Sequence, residues 1–64
     1  MMYVFTWKDL DEVVGLEEVG YFAAVRLLRA EGLTESDAAL WLCRMQNPLR
    51  MDCADGYVLT IERM

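Results

Sequence analysis

The C-terminal part of the chain alternates between apolar and polar positions. Leu49, Met51 and Cys53 point one way and Arg50 and Asp52 the other. After Ala54-Asp55-Gly56, the residues Tyr57, Leu59 and Ile61 share a face opposite Thr60 and Glu62. Period two is the strand period, so this spacing predicts a β-hairpin with Gly56 as the left-handed residue of a three-residue loop. The register follows from the pattern. Cys53 opposite Tyr57 sets Met51 against Leu59 and Leu49 against Ile61, and every apolar residue falls on one face. A two-residue loop would set Met51 against Thr60 and mix the faces.

Upstream, Met2–Phe5 is aromatic and β-branched and reads as a short strand. Thr6 with Asp9 three residues later has the form of an acidic capping box. It predicts a helix over Trp7–Val14 that stops at Gly15. A second helix is expected over Leu16–Glu31. Glu17 and Glu18 would lie at its positive end, Arg26 and Arg29 toward its negative end, and Gly32 would be its stop. Gly20 inside this span costs ~1 kcal/mol relative to alanine and marks a close contact, a kink or a break. Thr34, with Asp37 three residues on, caps a third helix over Glu35–Gln46, which Asn47-Pro48 ends. The expected fold class is α+β: a short N-terminal strand, three helices and a C-terminal β-hairpin. These would form two layers of one compact domain over residues 1–64. The first strand should pair with the hairpin, since a lone strand leaves its backbone groups unsatisfied.

This order of elements resembles the winged helix-turn-helix family over roughly residues 7–63. Gly32-Leu33-Thr34 looks like that family's turn. Ala38, Leu42 and Met45 suit the inner face of its recognition helix, and the hairpin corresponds to the wing. The resemblance implies a winged-helix-like fold and a DNA-binding transcription regulator. The residues it would present to base edges are Glu35, Ser36 and Asp37. Two carboxylates there oppose the phosphate charge. Arg44, Arg50 and Arg63 are interleaved with Asp52, Asp55 and Glu62, so nucleic acid is disfavoured.

Composition sharpens the choice. Apolar residues make up 56% of the 64 positions, against about 45–50% in ordinary soluble domains. A domain this small has much surface and little interior. Some of the surplus must lie outside, where it marks a contact surface. Eleven acids against six bases give a net charge of −5. That charge repels a phosphate backbone and suits either simple solubility or a steered encounter with a basic protein surface. No apolar run reaches the about 20 residues that span a bilayer. The N-terminus lacks the pattern of a secretory signal. With Cys43 and Cys53 expected as buried free thiols of a reducing compartment, the expected location is cytoplasmic, with no membrane partner.

The chain has no histidine and one serine, so nucleophile–base pairs lack a base and zinc lacks ligands. No catalytic residue, cofactor or metal site is expected. What remains is binding. On a helical wheel of the second segment, Leu16, Val19, Ala23, Leu27 and Ala30 form the expected core stripe. Tyr21, Phe22 and Val25 lie on the opposite side among Glu18, Arg26 and Arg29. They are either covered by neighbouring elements or form an aromatic patch with a charged rim. On the third helix Ala38, Trp41, Leu42 and Met45 face the core and Leu40 projects away. Both faces of the first strand are apolar, Tyr3, Phe5 and Trp7 against Met2 and Val4. If it lies at a sheet edge it could pair with a second copy to make a homodimer.

The leading expectation is a non-catalytic, acidic protein-binding module, an inhibitor or adaptor. It is similar in size and charge to small inhibitors encoded by phages and mobile elements, such as the anti-CRISPR proteins. Asp9, Asp11, Glu12, Glu17 and Glu18 would steer it to a basic partner, and Tyr21, Phe22, Val25, Arg26, Arg29 and Leu40 would make contact. The alternatives are the winged-helix regulator and a structural homo-oligomer.

Overall fold

A computed structural model of the chain describes residues 1–45 and 48–64. Among them are four strands and two helices in the order β1 (Met2–Asp9), β2 (Glu12–Gly20), α1 (Tyr21–Ala30), α2 (Glu35–Arg44), β3 (Leu49–Asp52) and β4 (Val58–Arg63). The strands form one antiparallel sheet in the order β2-β1-β4-β3. The two helices cover one face of it.

The core sits between these layers. Tyr3 and Phe5 of β1 and Leu59 and Ile61 of β4 point inward from adjacent strands, with Phe5 directly opposite Ile61. They meet Ala24 and Leu28 of α1, Ala38 and Leu42 of α2, and Met45 just beyond it, all buried. Each large side chain fully removed from water contributes about 1.5–3 kcal/mol. Phe5, Leu28, Leu42, Leu59 and Ile61 are the largest such groups. The other face carries Val4, Thr6 and Thr60, which are half-buried, together with exposed charges. That mixture is usual for the solvated side of an antiparallel sheet.

Several expected features are present. The β3–β4 hairpin pairs Leu49 with Ile61 and Met51 with Leu59. The Cys53 amide donates to the Tyr57 carbonyl at 2.8 Å, and Gly56 has φ +90°. β1 pairs with β4 of that hairpin. Thr34 caps α2 by accepting from the Asp37 amide at 3.1 Å. Gly32, at φ +107°, ends α1. Its amide donates to the Arg29 carbonyl and the Leu33 amide to the Leu28 carbonyl, the paired bonds that close a helix through a left-handed residue.

The N-terminal half corrects the expectation. The helix expected over Trp7–Val14 does not form, and three helices become two. β1 runs on to Asp9 and turns at Leu10-Asp11 into β2. The capping-box pattern at Thr6 was outweighed by burial. Extending the alternation of Tyr3 and Phe5 to Trp7 places Trp7 opposite Leu59 and against the core, which a helix could not do. The second helix starts at Tyr21, not Leu16, because Leu16–Gly20 pairs with Met2–Thr6. Gly20, extended at φ −78° and ψ −177°, is the junction, so of the three roles open to it the break is the one realised. With the helix shortened, its buried face is Ala24 and Leu28 instead of the stripe from Leu16 to Ala30. The winged-helix-like order is therefore absent, and the hairpin is half of the main sheet instead of an appended wing. The first strand is interior, flanked by β2 and β4. It cannot offer a free edge to a second copy. The helix expected over Glu35–Gln46 ends earlier, at Arg44, with Met45 already extended; the expected stop at Asn47 falls outside the described residues.

Candidate functional site

The β1–β2 hairpin and the start of α1 carry the most unusual surface of the molecule. At the hairpin tip Leu10 adopts φ +57°, a conformation that costs a branched-carbon residue about 1 kcal/mol or more. It is 90% exposed. Beyond the turn, Lys8 pairs with Val13 and Trp7 with Gly15, so Val14 is the extra residue of a β-bulge. Val13, Val14 and Leu16 are all exposed, Leu16 at 62%. Phe22, in the first turn of α1, is 79% exposed. Five large apolar side chains thus stand in solvent between residues 10 and 22.

The expected steering acids lie on the same hairpin. Asp9, Asp11 and Glu12 surround the tip, and all are exposed. Glu17 sits opposite Phe5 and so belongs to the helix-covered face, while Glu18 sits opposite Val4 and belongs to the open one. Both stay exposed because β2 is the last strand of the sheet. They were expected at a helix N-terminus, but α1 has no acid in its first turn. Their shared position on an edge strand is a product of the fold.

Where Glu17 and Val19 of β2 face α1, a shallow groove of about 300 Å³ opens between the two elements, completed by Ala23, Arg26 and Leu27. Its lining is mainly apolar, with one acid and one base.

The structure divides the expected contact residues. Tyr21 and Val25 are half-buried and pack against the core. Tyr21 also makes an edge-to-face contact with Phe22, ring centres 5.5 Å apart. Its phenol is raised above the ordinary range, first by desolvation and next by the charge of Cys43. Phe22 alone of this group projects freely. Arg26 lines the groove. Arg29 instead reaches Glu35 at 3.7 Å across the helix–helix turn, an exposed pair of small energetic weight. Leu40 is exposed on α2. Leu10, Val13, Val14 and Leu16 are absent from the expected contact residues because the helical pattern expected over Trp7–Val14 and Leu16–Glu31 does not form there. The consecutive β-branched Val13 and Val14 were the available sign of a strand.

The two thiols are free and differ. Cys53 is buried as expected, and burial pushes its thiol up to about 11, with the neighbouring Glu31 carboxylate adding to the effect. Cys43 is exposed, contrary to expectation, and lies beside the Tyr21 phenol. Among the described residues no three metal-ligating side chains cluster, and no helix is long and apolar enough to cross a membrane. Comparison with protein-family models, with curated proteins and with solved structures finds no match.

Proposed function

We propose that this protein is a non-catalytic binding module for a basic protein partner, acting as an inhibitor or adaptor through the β1–β2 hairpin and the start of α1. The observation that carries this reading is a coincidence of place. Leu10, Val13, Val14, Leu16 and Phe22 are exposed within the same stretch that holds Asp11, Glu12, Glu17 and Glu18. Apolar groups in solvent are unfavourable to the isolated chain and gain free energy when a partner covers them. Carboxylates around them accelerate encounter with a basic surface and disfavour an acidic one. Leu10 supports the reading most sharply. The tight turn uses its left-handed backbone, but a large apolar side chain is not needed there, and this one is almost fully exposed. The free thiols suit a reducing compartment such as the cytoplasm.

The reading of duplex DNA as partner drew on a winged-helix order that the chain does not have, and the net charge of −5 opposes it. The test starts with the partner captured from the native host. Reversing Glu12, Glu17 and Glu18 to lysine should slow association by roughly tenfold at low salt and flatten its salt dependence. An unchanged rate and salt slope would reject steering by these acids.

A further inference from the structure

We propose that the free edge of β2 over Gly15–Gly20 receives an extended, lysine- or arginine-rich segment of the partner as a fifth strand. Alternate side chains of that strand enter the groove between β2 and α1. The inference rests on the binding-module reading and specifies how the partner is held.

β2 ends the sheet, so alternate amides and carbonyls along it have no strand neighbour. The opposite edge is blunted. β3 has four residues, follows directly on Pro48 and carries Arg50. β2 has nine residues and no proline, and the charges it carries are all acidic, so its edge is guarded against acidic and neutral strands but not against a basic one. Its bulge at Val14 interrupts regular pairing only at the tip end. From Gly15 to Gly20 the ladder with β1 is unbroken, which is enough for a short added strand.

The groove supplies what backbone pairing lacks. A strand laid beside β2 points every second side chain to the helix-covered face. There it meets Val19, Ala23 and Leu27, where the small Ala23 leaves room. Main-chain bonds give such a complex affinity, and the pockets for alternate side chains give selectivity. Charge decides the occupant. Glu17 shares the groove with Arg26, while Glu18 stands on the open face of β2, so an incoming strand is favoured with its basic side chains on the open face and its apolar ones in the groove. A second copy is disfavoured. Pairing two β2 edges joins chains of −5 each, with Glu12, Glu17 and Glu18 of both on one seam and no base on either strand.

The probe is a short synthetic peptide alternating lysine and valine, titrated into the isotopically labelled protein. Amide exchange should slow by roughly tenfold or more at alternate residues of Gly15–Gly20, with chemical-shift changes at Ala23 and Leu27. The same peptide with glutamate for lysine should bind at least about tenfold more weakly. N-methylation of every second peptide amide, on the side facing β2, should abolish binding. Ala23→Gln, which fills the groove at an accessible helix position, should weaken it while the circular dichroism stays unchanged. If the N-methylated peptide binds equally well, strand addition is overturned while acidic docking survives. If the glutamate peptide binds equally well, both fall. Absence of binding by the lysine peptide at millimolar concentration overturns strand addition, and the salt dependence of the captured partner then decides the binding-module reading alone. A dimer in light scattering, with β2 amides already protected in the free protein, replaces the proposed occupant with a second copy.

Discussion

The Trp7 indole N–H donates to Glu31 Oε2 at 3.3 Å. The bond ties the sheet to the end of α1, where Glu31 is the C-cap. Glu31 also faces Cys53, so one carboxylate joins β1, the end of α1 and the start of the β3–β4 loop. Glu31→Ala is expected to lose about 1 kcal/mol in urea unfolding and to shift Trp7 fluorescence. Glu31→Gln keeps an acceptor and should retain most of that stability. Equal losses in the two variants would mean that the hydrogen bond contributes nothing.

Alkaline pH should destabilise the protein through Cys53. Its thiol ionises at about 11 in the folded chain and at its ordinary 9.0 when unfolded. Between these values the folded state holds a proton that the unfolded state has lost. Stability is thus undiminished below about pH 9 and falls as pH rises toward 11. The Tyr21 phenol, also raised, adds to the loss. A Cys53→Ala variant should therefore show a shallower decline than the parent over this range, though not a flat one. In the native protein at neutral pH a thiol reagent should modify Cys43 at once and Cys53 only on unfolding. Two rapidly reacting thiols would contradict the burial of Cys53.

Leu28 and Phe22 are both large apolar residues of α1 with opposite environments. Leu28 is fully buried, and Leu28→Ala should cost about 2–5 kcal/mol. In a chain of 64 residues that is a large share of total stability. Phe22→Ala should change stability by less than about 0.5 kcal/mol while weakening partner binding. A thermal melt on each variant separates the two roles.

Leu10 yields the least expected direction of change. Leu10→Gly places at φ +57° a residue that adopts it freely, and should stabilise the hairpin by roughly 0.5–1 kcal/mol. Partner association should weaken at the same time, since the apolar tip is gone. A variant that is less stable than the parent would show that the leucine side chain supports the fold after all.

How far the chain could be read from its residues depended on whether local signals agreed with tertiary burial. In the β3–β4 hairpin they agreed. Alternation from Leu49 to Ile61, a glycine at the left-handed position and a single register that kept one face apolar all led to the observed pairing. The same holds for α2, whose cap at Thr34 and inner residues Ala38 and Leu42 lie as the helical period requires. From Thr6 to Gly20 the signals conflicted. Thr6 and Asp9 imitate a helix start, and Leu10-Asp11 forms a tight turn without the glycine or asparagine that usually announces one. Leu16, Val19, Ala23 and Leu27 happen to fall at helical spacing.

Composition by itself determined that this is a folded, acidic chain with more apolar residues than so small an interior holds, and local patterning determined its C-terminal hairpin and capped helix. Only the tertiary structure decided that the N-terminal half is a hairpin and that β1 is interior. It also set Glu12, Glu17 and Glu18 on a free edge beside a groove. The reason is that local hydrogen-bonding preferences for helix and strand differ by little, whereas placing Phe5 and Trp7 against β4 and the helices removes large apolar surface from water. That difference belongs to residues far apart in the chain. It also separated Phe22, left in solvent, from its neighbour Tyr21, drawn toward the core.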